Sequence, residues 1–236
     1  MLCLVFFATK CGLGTIARAN EIFFIIFILV FVLSFVFTLP QIKYSYLMKV
    51  SYKDAWPACK SSFAIISVWG FFLYIFFFGD KISNKEHIKR FSFRMLGALF
   101  ITCTLLLIMT IGSLGSILTG HVGLPFFMVV KNITIAGTIG HIESIILALW
   151  IISDFIIISI FTIMSTSILK SLFNLSGTRS MLSPVLLFAG IGSLIFFKNR
   201  FEMETLSSFI LPAGSIVLEF IIPIIIFTIG KIRKII

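Results

Sequence analysis

Long apolar runs separated by short polar stretches, with no period-two alternation, set the pattern of this chain. Six of them, approximately 21–39, 61–79, 95–118, 142–169, 183–197 and 205–229, stand out. A hydrocarbon core of about 30 Å is crossed by about 20 helical residues, so each predicts a transmembrane helix, the fifth by extending into its flanks. Continuous apolarity favours helices over a membrane barrel, because a helix satisfies its own backbone hydrogen bonds in lipid. The expectation is an all-α integral membrane protein forming one membrane domain over residues 1–236. The opening stretch MLCLVFFAT is apolar but too short to span, has no preceding basic region, and is followed by no small-residue cleavage site. It reads as a helix stub, the end of a helix whose beginning is missing, rather than as a signal peptide.

Composition agrees with that reading. Of 236 residues, 59% are hydrophobic and 12% charged, and the mean hydropathy is +1.17. A soluble domain is about half apolar and about a quarter charged. The net charge of +10 would suggest nucleic acid as a partner for a soluble protein, but here the bases sit in short loops, where they report orientation. With the KIRKII tail on the cytoplasmic side, segments 10–20, 80–94, 170–182 and the tail hold 12 of the 19 Lys and Arg. The loop at 40–60 carries four lysines on the opposite side, yet the densest cluster, KISNKEHIKRFSFR, decides for a cytoplasmic C-terminus. That cluster also suits anionic headgroups of the lipid bilayer. Cys3, Cys11, Cys59 and Cys103 form no CxxC pair and have no His at ligand spacing, so neither a disulfide framework, a metal site nor a cofactor is expected. The sequons at Asn132 and Asn174 are short enough to occur by chance.

Several interruptions carry more information. Residues 122–141, VGLPFFMVVKNITIAGTIGH, are apolar but broken by Pro125, Lys131, Asn132, Gly137 and Gly140. The segment is either a short re-entrant helix over the outer mouth or an amphipathic connection at the interface. Ser67, Trp69 and Gly70 lie in the second run, and GSLGS at 112–116 in the third. Small residues there either permit close helix packing or mark an unwound turn whose free backbone groups bind an ion or substrate. Pro212 with Gly214, and Pro223, predict kinks in the last helix.

Besides Glu21, which opens the first run, three acids enter the apolar runs. Glu143 and Asp154 are eleven residues apart in GHIESIILALWIISDFIIISIF, a rotation of about 1100° and a rise of about 16 Å, so they share one face with Trp150 between them. Glu143 then sits near the outer boundary, where it complements the positive end of its helix, and Asp154 near the midplane. A midplane carboxylate costs at least about 2.5–3.5 kcal/mol on insertion scales, so Asp154 should face the bundle or water. It would coordinate a cation, bind a proton, or act as a polar clamp fixing a broken helix. Glu219, in VLEFIIP, needs a partner inside the bundle that the sequence does not name. No Ser-His-Asp arrangement, phosphate loop or H-E-x-x-H survives this topology, so an enzyme is not expected.

The stretches KCGLGTIARANEI at 10–22, PFFMVVKNITIAG at 125–137, HIES followed by LWIISDFIIISIF within 141–161, and LKSLFNLSG at 169–177 together resemble the spore germinant-receptor B subunits, the GerAB-type permease family of the amino acid, polyamine and organocation transporter superfamily. The resemblance runs along nearly the whole chain and is most specific over 125–177. It implies a ten-helix fold of two inverted repeats, in which the stub at 1–9 ends the fourth helix and the six spans are helices five to ten. Helices one to three and most of four would be absent, so the chain is expected to be a truncated or separately encoded C-terminal portion. The family's usual Arg-Ile-Glu triplet is here His141, Ile142 and Glu143, which replaces a permanent charge with one titrating near neutral pH.

The resemblance further implies a small nutrient germinant such as an amino acid, partner A and C receptor subunits, and residence in the spore inner membrane. Ser67, Trp69 and Gly70 in a sixth-helix break and Asp154 in the eighth helix become substrate or ion contacts. Pro125, Lys131, His141, Glu143 and Glu219 become gating or structural residues. The alternatives are an ion-coupled secondary amino acid transporter and a nonfunctional remnant or assembly scaffold.

Overall fold

In the computed structural model the described residues are 1–48, 52–59, 61–62, 74, 77–79, 87–135, 138–139, 142–196, 199, 203 and 213–233. Ser67, Trp69, Gly70, His141 and about two thirds of the run at 61–79 fall outside them. Apart from a two-residue hairpin the described fold is helical, and it is that of an all-α membrane protein. Among the described residues, five helices are long and apolar enough to cross a membrane: Leu13–Gln41, Ile88–Leu114, Ile142–Leu172, Arg179–Phe196 and Ala213–Ile232.

The chain divides into two compact units, residues 1–49 with 88–190, and residues 50–87 with 191–236. In the first unit α1 (Leu2–Cys11) and α2 (Leu13–Thr38) are separated by Gly12, whose φ of 88° ends one helix and starts the next. A side chain there would be strained. A short α3 (Tyr44–Leu47) leads towards α4 (Ile88–Leu114), which is followed by α5 (Ser116–His121) and α6 (Pro125–Lys131). The strands β1 (Thr134–Ile135) and β2 (Thr138–Ile139) pair antiparallel before α7 (Ile142–Leu172). At its far end α7 is closed by Asn174 in the left-handed region at φ 48°, with the Leu175 N–H donating to the Lys170 carbonyl at 3.0 Å. This is the wide bond of a Schellman cap, formed by Asn where Gly is commoner. The helix α8 (Arg179–Phe196) follows, starting a turn ahead of Pro184.

At 31 residues, α7 is about 46 Å long and exceeds the hydrocarbon thickness. It is the central element, packed against α1, α2 and α6. An apolar cluster, Val130, Ile133 and Ile146 with Val30, Phe126 and Ile142 around it, joins α2, α6 and α7. Phe31 and Phe126 stand 6.2 Å apart between ring centres. Lipid tails are as apolar as these side chains, so such contacts hold by close packing rather than by exclusion of water. The outward faces are apolar as well: Phe24, Ile25, Leu29, Val32 and Val36 of α2 are exposed, as lipid contact requires.

In the second unit the described residues include a 3-10 turn Tyr52–Asp54, Tyr74, and the last span. That span contains a π-helical stretch, Ile216–Ile221, which passes into α9 (Ile222–Ile232) with Pro223 in its first turn. Proline lacks the N–H that would continue the ladder, which accounts for the change of register at this point. Pro212 lies outside the described residues.

Candidate functional site

A membrane bundle with many interior hydroxyls first has to satisfy them. Ser34, Thr38, Thr110, Ser159, Thr162 and Thr166 are all buried, and each donates to a carbonyl one turn back in its own helix, as Ser34 does to Val30 at 2.8 Å and Ser159 to Phe155 at 2.7 Å. Local bonding of this kind needs no partner helix. The polar groups left over are therefore the informative ones. Among the described residues, Ser113 Oγ, Glu143 Oε2 and Glu219 Oε2 are enclosed without a hydrogen-bond partner.

Asp154 is a different case, since its side chain is exposed. On α7 the buried positions include Ile146, Leu149, Ile156, Ser159 and Thr162, whereas Leu147, Trp150, Ile151 and Ile157 are exposed. Asp154 lies on that second stripe, one turn beyond Trp150, so the helix turns its carboxylate away from the residues it packs against. Its neighbour Ser153 donates to Leu149 O at 2.9 Å and, with Asn20, forms the polar part of a cavity of about 200 Å³ otherwise lined by Phe23, Phe24, Phe27 and Leu149. The sequence reading did not single out Asn20 or Ser153, although Asn20 lies in the KCGLGTIARANEI stretch.

Glu143 occupies the first turn of α7 and is half-buried. Pro125 opens α6 at its first turn, where its missing N–H costs nothing, and Lys131 closes the same helix, where its charge meets the carbonyl end. Lys131 is exposed while Val129 and Val130 beside it are buried. The short helix α6 thus lies on α2, α4 and α7, with Glu143 at the edge of the apolar cluster it covers.

The GSLGS stretch is a helix break. α4 stops at Leu114, Gly115 has φ 80°, and α5 starts at Ser116. The break is held from α3's side: the Lys43 N–H donates to Gly112 O at 2.9 Å, and a Cβ on Gly112 would lie 2.8 Å from Ile42 Cγ2. Beside it is an open cavity of about 290 Å³ whose lining includes Tyr46, Gly115, Ser116 and His121. The Lys43 ammonium lies 5.6 Å from the centre of the Tyr46 ring. Glu219, finally, is 4% exposed and accepts a hydrogen bond from the Tyr74 hydroxyl. This supplies the interior partner that the sequence could not name.

The comparison with protein families settles what kind of chain carries these groups. A family model described as spore germination protein matches residues 1–201. The chain belongs to that family. Searches of curated proteins and of solved structures each gave no match. It is a multi-pass membrane protein of the spore germination family, and the matched range takes in the α4–α5 break, the α6 cover, Glu143 and Asp154. Glu219 lies beyond it.

Proposed function

We propose that this spore germination protein is the permease-like subunit of a nutrient germinant receptor. In this reading it lies in the spore inner membrane with a cytoplasmic C-terminus, works with A and C receptor subunits, and binds a small nutrient such as an amino acid. The observation that carries the reading is Asp154: an acid about midway through an apolar span, exposed on a stripe with Trp150, on a helix whose buried hydroxyls bond to their own backbone. A carboxylate at that depth is stabilised by a cationic group brought to it, and none of the six apolar runs contains Lys, Arg or His. The ammonium of an amino acid, or a free cation, has the required charge, and the Trp150 indole offers a face for it. In this reading Ser67, Trp69 and Gly70 are further substrate or ion contacts, and Pro125, Lys131, His141 and Glu143 are gating or structural residues.

The test is germination of spores carrying Asp154→Asn at normal protein level. A weakened response to nutrient with an intact response to a nutrient-independent trigger supports the site; an unaltered nutrient response removes Asp154 from it. The permease-like helix break at Gly115 favours a second reading, an ion-coupled amino acid transporter. Uptake of labelled amino acid into vesicles, abolished by collapsing the ion gradient, would select that reading over a sensor.

A further inference from the structure

The last span holds a second acid whose surroundings are unlike those of Asp154, and the proposed nutrient site makes no use of it. Glu219 is nine-tenths buried and more, one of its carboxyl oxygens accepts from Tyr74, and Oε2 has no partner among the described residues. It sits in the six-residue π stretch Ile216–Ile221, where the Ile222 N–H reaches back to Val217 O, and Pro223 follows. Because Pro223 carries no N–H, one main-chain carbonyl of this turn lacks its helical donor. Among the described residues, Glu219 Oε2 and the carbonyl that Pro223 leaves without its helical donor are two acceptors in one stretch of the same helix. A single hydron resolves both, by turning the carboxylate into an O–H donor.

We propose that Glu219 is a proton-binding site in the last span, with the Tyr74 hydroxyl holding one oxygen and the proton on the other directed to a carbonyl freed by Pro223. Among the described residues Tyr74 is the titratable group that faces Glu219. On the same helix the nearest bases are Lys231 and Arg233, three turns or more further on. A hard cation such as Ca²⁺ takes about six to eight oxygen ligands, whereas among the described residues only the Tyr74 phenol is brought to the Glu219 carboxyl. A proton needs only an acceptor. π-Helical insertions recur at functional sites because they expose backbone groups in this way. The site gives the chain a charge that can appear or vanish inside the membrane without any partner subunit.

Infrared pH-difference spectra of the full chain in lipid vesicles test this directly. The expected result is a protonated-carboxyl C=O band at neutral pH that is lost in Glu219→Gln. In Tyr74→Phe, which removes only the hydrogen bond and guards against a folding defect in the first variant, the band should move to higher frequency. It should be the same in sodium, potassium and choline chloride. Absence of the band from the folded chain at neutral pH, or its loss when sodium or potassium replaces choline, would overturn the proposal, the second result by making the site one for an alkali ion.

Discussion

Asp154 and Glu219 are both acids inside an apolar span, yet the two helices treat them in opposite ways. On α7 the hydrogen-bond ladder is regular, and Asp154 falls on the exposed stripe opposite Ile146, Leu149 and Ile156. In the last span the ladder shifts to π spacing, and Glu219 is enclosed beside Tyr74. A regular helix presents an acid to whatever comes from outside. A distorted one exposes backbone carbonyls to which an enclosed acid can donate once it carries a proton.

The largest effect should come from Asp154. Removing a hydrogen bond to a charged group costs about 1.5–3 kcal/mol, so Asp154→Asn should raise the nutrient concentration for half-maximal germination by about 10–100-fold. Dose-response curves on spores with matched protein levels measure it, and an unchanged midpoint would erase the contrast with Glu219. Next comes the helix break. Gly115→Val forces a β-branched residue to φ 80° and should cost about 1–2 kcal/mol, while Gly112→Val drives a methyl into Ile42 and should cost about 1–3 kcal/mol. Both are read as lowered midpoints of thermal unfolding in detergent; an unshifted midpoint for the pair would mean that α3 does not hold the break.

A smaller loss, about 1 kcal/mol for one hydrogen bond, is expected for Tyr74→Phe, and it should vanish in a Glu219→Leu background. Additive losses in that double-mutant cycle would separate the two residues. The least effect belongs to the interior hydroxyls. Ser159→Ala and Thr162→Ser leave only intrahelical bonds changed, so each should shift stability by no more than about 0.5 kcal/mol.

Much of this was legible before any coordinates. Apolar run length predicts the spans, since lipid thickness fixes helix length, and the residues at 125–177 carry the family resemblance that the match over 1–201 bears out. The depth of Asp154 follows from counting residues. For the GSLGS stretch two readings stood open, close helix packing or an unwound turn that binds a ligand; Gly115 breaks the helix, and Gly112 lies against Ile42, a residue outside any helix. What separated the readings was the approach of residues 42–46, far away in sequence. Periodicity along one segment contains no information about such an approach. The Tyr74 partner of Glu219 was hidden for the same reason, and the π stretch because Pro223 predicts only a disturbance, not its form.

The sequence by itself determined the membrane class, the family, and the presence of two acids too costly to leave in lipid, because hydropathy and residue spacing are local properties that the bilayer reads directly. Only the tertiary structure decided that Asp154 is turned outward while Glu219 is enclosed and paired with Tyr74. That choice depends on which faces of distant helices meet and on how one proline shifts a hydrogen-bond ladder.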